Sequence, residues 1–215
     1  MIVLFDLNGT LTDTEPIGEA LGASEAGELV LDRAVRSAFV DALTGVYRPF
    51  TEHVRAAVTV EARRRGLEHA VIDEAVERAG ALPARPGAEA ALRSLREHGA
   101  RLAVLTNSGA DGGRRTLEQL KLAGHFEAIL GVDAVRSVKP HPSTYRHAVE
   151  ALGAEPHDVT LAAAHDWDVT GAKRAGLRTA YVDHGHHPLS PAAEPPDVHA
   201  SGLEDLAARL TRSKR

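Results

Sequence analysis

Short runs of apolar residues recur along the chain at 2–5, 102–105, 128–130, 159–163 and 179–182, each ending abruptly in polar residues. Runs of this length, bounded by turn residues, read as strands buried on both faces. Between them, apolar positions at helical spacing mark amphipathic segments near 88–98, 112–122, 142–152 and 169–175, and a last helix at 203–210. Strand and helix in alternation predict a parallel sheet with helices on both faces. Residues 15–81 break this rhythm. They read as helix after helix, as at 33–43 and 50–65, with no convincing strand, and Leu82-Pro-Ala-Arg-Pro-Gly87 punctuates the return. The expected architecture is α/β: a Rossmann-like parallel sheet core with helices on both faces, formed by 1–14 and 82–215, plus a small all-helical cap at 15–81 inserted after the first strand. The Pro-rich stretch 184–196 reads as a surface loop.

A chain of 215 residues can bury a full core. Its net charge of −5, with no dense Lys/Arg stripe, argues against nucleic acid as a partner. The absence of cysteine rules out disulfides and thiolate metal sites and leaves the redox compartment undecided, with the cytosol as the default. The first apolar run is too short for a signal peptide or a membrane span, so no membrane partner is expected. A homodimer is compatible with all of this.

Polar clusters sit just past four of the strands. Asp6 closes the first in Asp6-Leu-Asn8-Gly9-Thr10-Leu-Thr-Asp13. Thr106-Asn107 closes the second. Lys139-Pro140 follows the third, and Ala164-His165-Asp166-Trp167-Asp168 follows the fourth. In open α/β sheets, ligands bind at that end of the strands. A carboxylate nucleophile needs a neighbouring cation, which Lys139 can supply. Thr106 and Asn107 can hold a substrate oxygen or orient the nucleophile.

These four clusters, in this order and across nearly the whole chain, resemble the four motifs of the haloacid dehalogenase superfamily, and most closely its (S)-2-haloacid dehalogenase branch. The usual first motif, Asp-x-Asp-Gly-Thr-Leu-x-Asp, has Asn8 as its second acid here. The usual first acid of the fourth motif falls at Ala164. In phosphatase relatives those two acids protonate the leaving alkoxide and bind Mg²⁺, whereas halide leaves an alkyl carbon without a proton. The Trp167-Asp168 pair and the Lys139-to-Tyr145 interval match the dehalogenase branch.

The resemblance therefore implies a cofactor-free hydrolase that removes halide from a short 2-haloalkanoate, a small carboxylate, through an aspartyl ester. Asp6, Lys139, His165 and Asp168 are the expected catalytic residues, with His165 or Asp168 activating water. Asn8, Thr106, Asn107, Phe50 and Tyr145 are the expected substrate-binding residues, with Tyr47 as a further lid residue. Glu15 or Glu19 would orient His165. No metal ligand is expected; the His184, His186 and His187 group reads as solvated loop histidines. The branch's halide-binding Arg aligns near Leu31, and Arg33, Arg36 and Arg48 are the substitutes at hand. Two other readings stand beside this one: a Mg²⁺-dependent phosphatase of low activity, and a non-catalytic binding module. Retention of Asp6, Thr106 and Lys139 together argues against the module. Asp6, Thr106, Lys139 and Asp168 are expected within hydrogen-bonding reach of one another.

Overall fold

The computed structural model describes residues 1–185 and 189–212. Six strands form one parallel sheet: β1 (Ile2–Phe5), β2 (Arg101–Thr106), β3 (Ala128–Gly131), β4 (Val159–Ala163), β5 (Arg178–Val182) and β6 (Val198–Ala200), in the order β3-β2-β1-β4-β5-β6. The chain builds outward from β1 to β3, then crosses back so that β4 lies on the free side of β1. The crevice between the carboxyl ends of β1 and β4 is thus a topological switch point.

Alternation along β1 divides the core in two. Ile2 and Leu4 face one layer; Val3 and Phe5 face the other, and all four are buried. The first layer is covered by α7 (Pro142–Ala151) and α8 (Asp166–Arg174), through Ala148, Val149, Val169 and Ala172. The second is covered by α5 (Ala88–Glu97), α6 (Ala110–Gln119) and α9 (Leu203–Arg212), through Leu92, Leu95, Leu117 and Leu206. At about 25 cal/mol per Å² of apolar surface, such two-sided burial is what holds a parallel sheet together.

Between β1 and α5 lie four helices: α1 (Glu15–Ala20), α2 (Ala26–Leu43), α3 (Phe50–Arg64) and α4 (His69–Ala79). The two segments that join them to the sheet run side by side. Thr12 and Ala84 form an antiparallel bridge, Asp13 N–H donates to the Pro83 carbonyl, and Arg85 N–H donates to that of Leu11, both at 2.9 Å. The buried Arg85 side chain then donates through Nε to the Gly9 carbonyl at 3.2 Å. None of the described helices is long and apolar enough to cross a membrane.

Several elements differ from the sequence reading; α2, for one, begins at Ala26 rather than near 33. β6 is an unanticipated edge strand, three residues long with Ala200 as its fully buried residue, too short to leave a periodic trace. α8 starts at Asp166 rather than near 169, because His165 already stands in the N-cap position. Residues 183–185 and 189–197 carry neither helix nor strand, as expected of the loop; His186 and His187 lie outside the described residues.

Candidate active site

Asp6 is the first residue past β1, tied to β4 by its N–H to the Ala162 carbonyl at 3.0 Å. Its side chain is 6% exposed, a burial that only charge pairing and hydrogen bonds make tolerable. Lys139 Nζ donates to Oδ1 at 2.6 Å. Thr10 Oγ1 donates to Oδ2 at 2.7 Å, and His165 Nδ1 lies 3.2 Å from the same oxygen. The direction of the Thr10 bond is fixed from behind, since Ala164 N–H donates to the Thr10 hydroxyl at 3.0 Å.

Lys139 is fully buried, and its ammonium bridges Asp6 and Asp168, reaching Asp168 Oδ2 at 2.7 Å. Burial alone would raise the Asp6 pKa. The Lys139 charge and the bonds from His165 and Lys139 outweigh it and hold the carboxyl well below the usual range. Burial likewise works against a charged Lys139, but Asp168 and Asp6 prevail and hold its pKa above the ordinary lysine value. His165 follows the same logic: burial lowers its pKa, while the bond and charge from Asp6 raise it further, for a net rise.

Glycine is required twice. Gly9 turns the chain after Asp6 with φ +83°, and a Cβ there would sit 2.9 Å from both Cε1 and Nε2 of His165. Gly171, inside α8, lets that helix approach Pro140 and Tyr145, whose hydroxyl would lie 2.7 Å from a Cβ. A helix-interior glycine costs about 1 kcal/mol relative to alanine; here it admits the contact that follows. Tyr145 donates to Asp168 Oδ1 at 2.6 Å.

A small pocket lies over Asp6. Its walls are Asn8, Thr106, Asn107 and His165, with Leu31, Val35, Phe50 and Trp167 as the apolar side. Its free space, about 10 Å³, is at the lower limit for one water molecule. Asn107 Oδ1 accepts from Lys139 N–H at 2.8 Å, which leaves its amide N–H₂ as a donor. Thr106 Oγ1 accepts from Ser108 N–H at 3.2 Å, and Asn8 Nδ2 donates to Ser108 Oγ at 3.4 Å. Trp167 stacks on His165 with centroids 5.1 Å apart, and Phe39 meets Trp167 edge-on.

Asp6, Lys139, His165 and Asp168 therefore meet, with Asn8, Thr106, Asn107 and Phe50 around the same pocket. Thr106 lines it without bonding to the carboxylate cluster. Tyr145 is not at the pocket: it is fully buried behind Asp168, because the face of α7 that carries it packs against α8. Asp168 is fully buried too, with Oδ2 accepting from Lys139 and Oδ1 from Tyr145. Tyr47 lies under the Arg136 guanidinium, 5.2 Å away. Glu15 and Glu19 are exposed, and Glu19 pairs with Arg78.

Among the described residues, no arginine lines the pocket over Asp6. Leu31 is on its wall, Arg33 faces Glu61 at 4.0 Å, Arg48 grips Asp41 at 2.6 Å, and Arg36 is exposed. A second chamber also touches His165, with Glu28, Asp32, Arg85 and His184 among its walls. Sequence reasoning missed Ser108, Arg85 and Glu28. Ser108 could have been found as the residue after Asn107; nothing local marks the other two.

Comparison with known proteins gives a consistent family. Residues 1–176 match the family model described as haloacid dehalogenase-like hydrolase. Haloacetate dehalogenase H-2 of Moraxella sp. (strain B) is 28% identical over 206 residues, spanning 91% of each chain. Phosphoserine phosphatase of Thermus thermophilus is 34% identical over 173 residues, covering 78% of this chain and 68% of its own. The structure of L-2-haloacid dehalogenase from Xanthobacter autotrophicus superposes with a TM-score of 0.88 at 26% identity, covering 100% of this chain and 99% of that one.

Proposed function

The chain belongs to the haloacid dehalogenase-like hydrolases, and within that family we propose that it hydrolyses short 2-haloalkanoic acids without a metal, through an ester on Asp6. The observation that carries this reading is the set of partners around the Asp6 carboxylate: an ammonium, a hydroxyl and an imidazole, with an amide, Asn8, in place of a second acid.

Asp6 Oδ1 attacks the halogen-bearing carbon in line. The carbon–halogen bond breaks, and halide leaves with the bonding pair, needing no proton. Lys139 keeps Asp6 ionised in a site that would otherwise neutralise it. The Asn107 amide and Thr106 hydroxyl are placed to bind the substrate carboxylate. Leu31, Val35, Phe50 and Trp167 enclose the alkyl chain and the halogen. Water then attacks the ester carbonyl carbon of Asp6, and the 2-hydroxy acid departs with Oδ1 as its new hydroxyl oxygen. Asp168, braced by Tyr145, acts only by positioning Lys139.

The phosphatase reading, favoured by the Thermus relative, calls for Mg²⁺. That ion wants an octahedron of oxygens, usually including more than one carboxylate. At Asp6 the neighbouring donors are protonated groups, Ala164 offers a methyl, and Asp166 has turned away into the first turn of α8. The residues do not fit the metal.

A paired screen tests the choice. Chloride release from 2-chloropropionate should proceed equally with and without EDTA. Mg²⁺-dependent phosphate release from p-nitrophenyl phosphate, without halide release, would overturn the proposal.

A further inference from the structure

The two oxygens of Asp6 are held in different ways, and the difference separates their tasks. Oδ1 accepts one bond, from Lys139, and keeps a lone pair for attack. Oδ2 has two partners on its lone pairs, Thr10 Oγ1 and His165 Nδ1. From this we infer that Thr10 and His165 form an oxyanion hole for Oδ2 in the second step, with His165 as a charged Nδ1–H donor rather than a base. This rests on the dehalogenase reading above and assigns the groups that act in its hydrolytic half.

Three observations support the donor role. First, His165 faces a carboxylate oxygen, which only accepts, so the bond exists only when Nδ1 carries the proton. Second, a base acting on the attacking water would have to use Nε2. That atom, across Cε1 from Nδ1, is packed over Gly9, while Nδ1 is the nitrogen that meets Asp6. Third, the buried cluster has two carboxylates, Asp6 and Asp168, and one ammonium, Lys139. An imidazolium at His165 completes neutrality, and buried charge without a partner is costly. The net rise in the His165 pKa agrees with this state.

After esterification Oδ1 is bonded to the substrate carbon and Oδ2 is the ester carbonyl oxygen. Water adds to the carbonyl carbon, and the π electrons move onto Oδ2. The Thr10 and His165 protons stand 2.7 and 3.2 Å (donor to acceptor) from the place where that charge appears. When the carbonyl re-forms, the bond from the carbon to Oδ1 breaks. Oδ1 leaves as an alkoxide beside Lys139, ending with one of the water protons, and the other proton goes to solvent.

Donor and base predict opposite outcomes. Losing one oxyanion donor typically costs about 10²–10³-fold, so His165→Ala should accumulate the Asp6 ester in intact-mass spectra with 2-chloropropionate. His165→Asn keeps an N–H near the Nδ1 position but cannot take up a proton, so its ester should break down at an intermediate rate. With a donor, wild-type ester breakdown slows as pH rises through the His165 pKa; with a base it would quicken. The groups facing His165 are Asp6, Asp168, Lys139, Glu28, Asp32, Arg85 and His184, so ¹⁵N NMR of the ring must confirm which group titrates. That spectrum, on the resting enzyme, should show both ring nitrogens protonated at neutral pH. An unprotonated Nδ1, or His165→Asn trapping ester as fully as His165→Ala, would overturn the oxyanion hole alone. Failure of the wild type to release halide would refute the dehalogenase reading and this inference together.

Discussion

Replacing Lys139 with Met keeps the length of the side chain and removes its charge. It strands Asp6 and Asp168, both buried, each of which has the ammonium within 2.7 Å. Breaking a buried pair by deleting one partner costs about 3–5 kcal/mol. The lower part of that range is expected, because the orphaned carboxyls can take up protons instead of remaining charged. For a protein of this size each kcal/mol shifts Tm by roughly 2–4 °C, so a fall of about 6–12 °C is expected.

The pH dependence is specific. In the wild type the depressed Asp6 pKa adds stability above the ordinary carboxylate value, and that stability is lost as pH falls toward the depressed one. In the variant, burial without Lys139 raises both carboxyl pKa values, a cost present at neutral pH and relieved in acid. The stability gap between the two proteins, measured by urea unfolding, should therefore shrink to roughly half or less between pH 7 and pH 4. Adding Asp6→Asn to Lys139→Met should recover part of the loss. A gap below about 1 kcal/mol at pH 7, or one equal at both pH values, would refute the reasoning.

Asp6→Asn should abolish halide release, since an amide is a poor nucleophile at neutral pH. With excess wild-type enzyme in H₂¹⁸O, the label should enter Asp6 before it enters product; label in the first-turnover product would mean that water attacks the substrate directly. Tyr145→Phe should cost about 1–3 kcal/mol of stability by removing a donor from buried Asp168, with KM little changed. A large rise in KM at unchanged stability would instead place Tyr145 against the substrate.

The sheet and Asp6 could be read from the chain because both depend on local pattern: an apolar run, an acid and a glycine in fixed order. The same holds for His165, which opens the segment after β4, and for Lys139, marked by the proline that follows it. What could not be read is direction. Lys139 and Tyr145 lie close in sequence, but which way Tyr145 points is decided by α8, whose Gly171 admits its hydroxyl. Likewise, no local signal shows that Glu28 reaches the chamber beside His165 while Glu15 and Glu19 remain outside. The turn between α1 and α2 decides that. The fates of Arg33 and Arg48 depend on Glu61 and Asp41, which stand well apart from them in sequence or across a turn.

The paired connecting segments have a mechanical consequence. Two chains laced by hydrogen bonds make a strap that bends across its width more readily than it slides along its length. A bend in that strap would carry the four helices about one axis, over the pocket above Asp6. The strap is also fastened to the Gly9 carbonyl through Arg85, and Gly9 is the seat of the His165 ring. A bend of the strap would therefore be felt at the bearing beneath the imidazole.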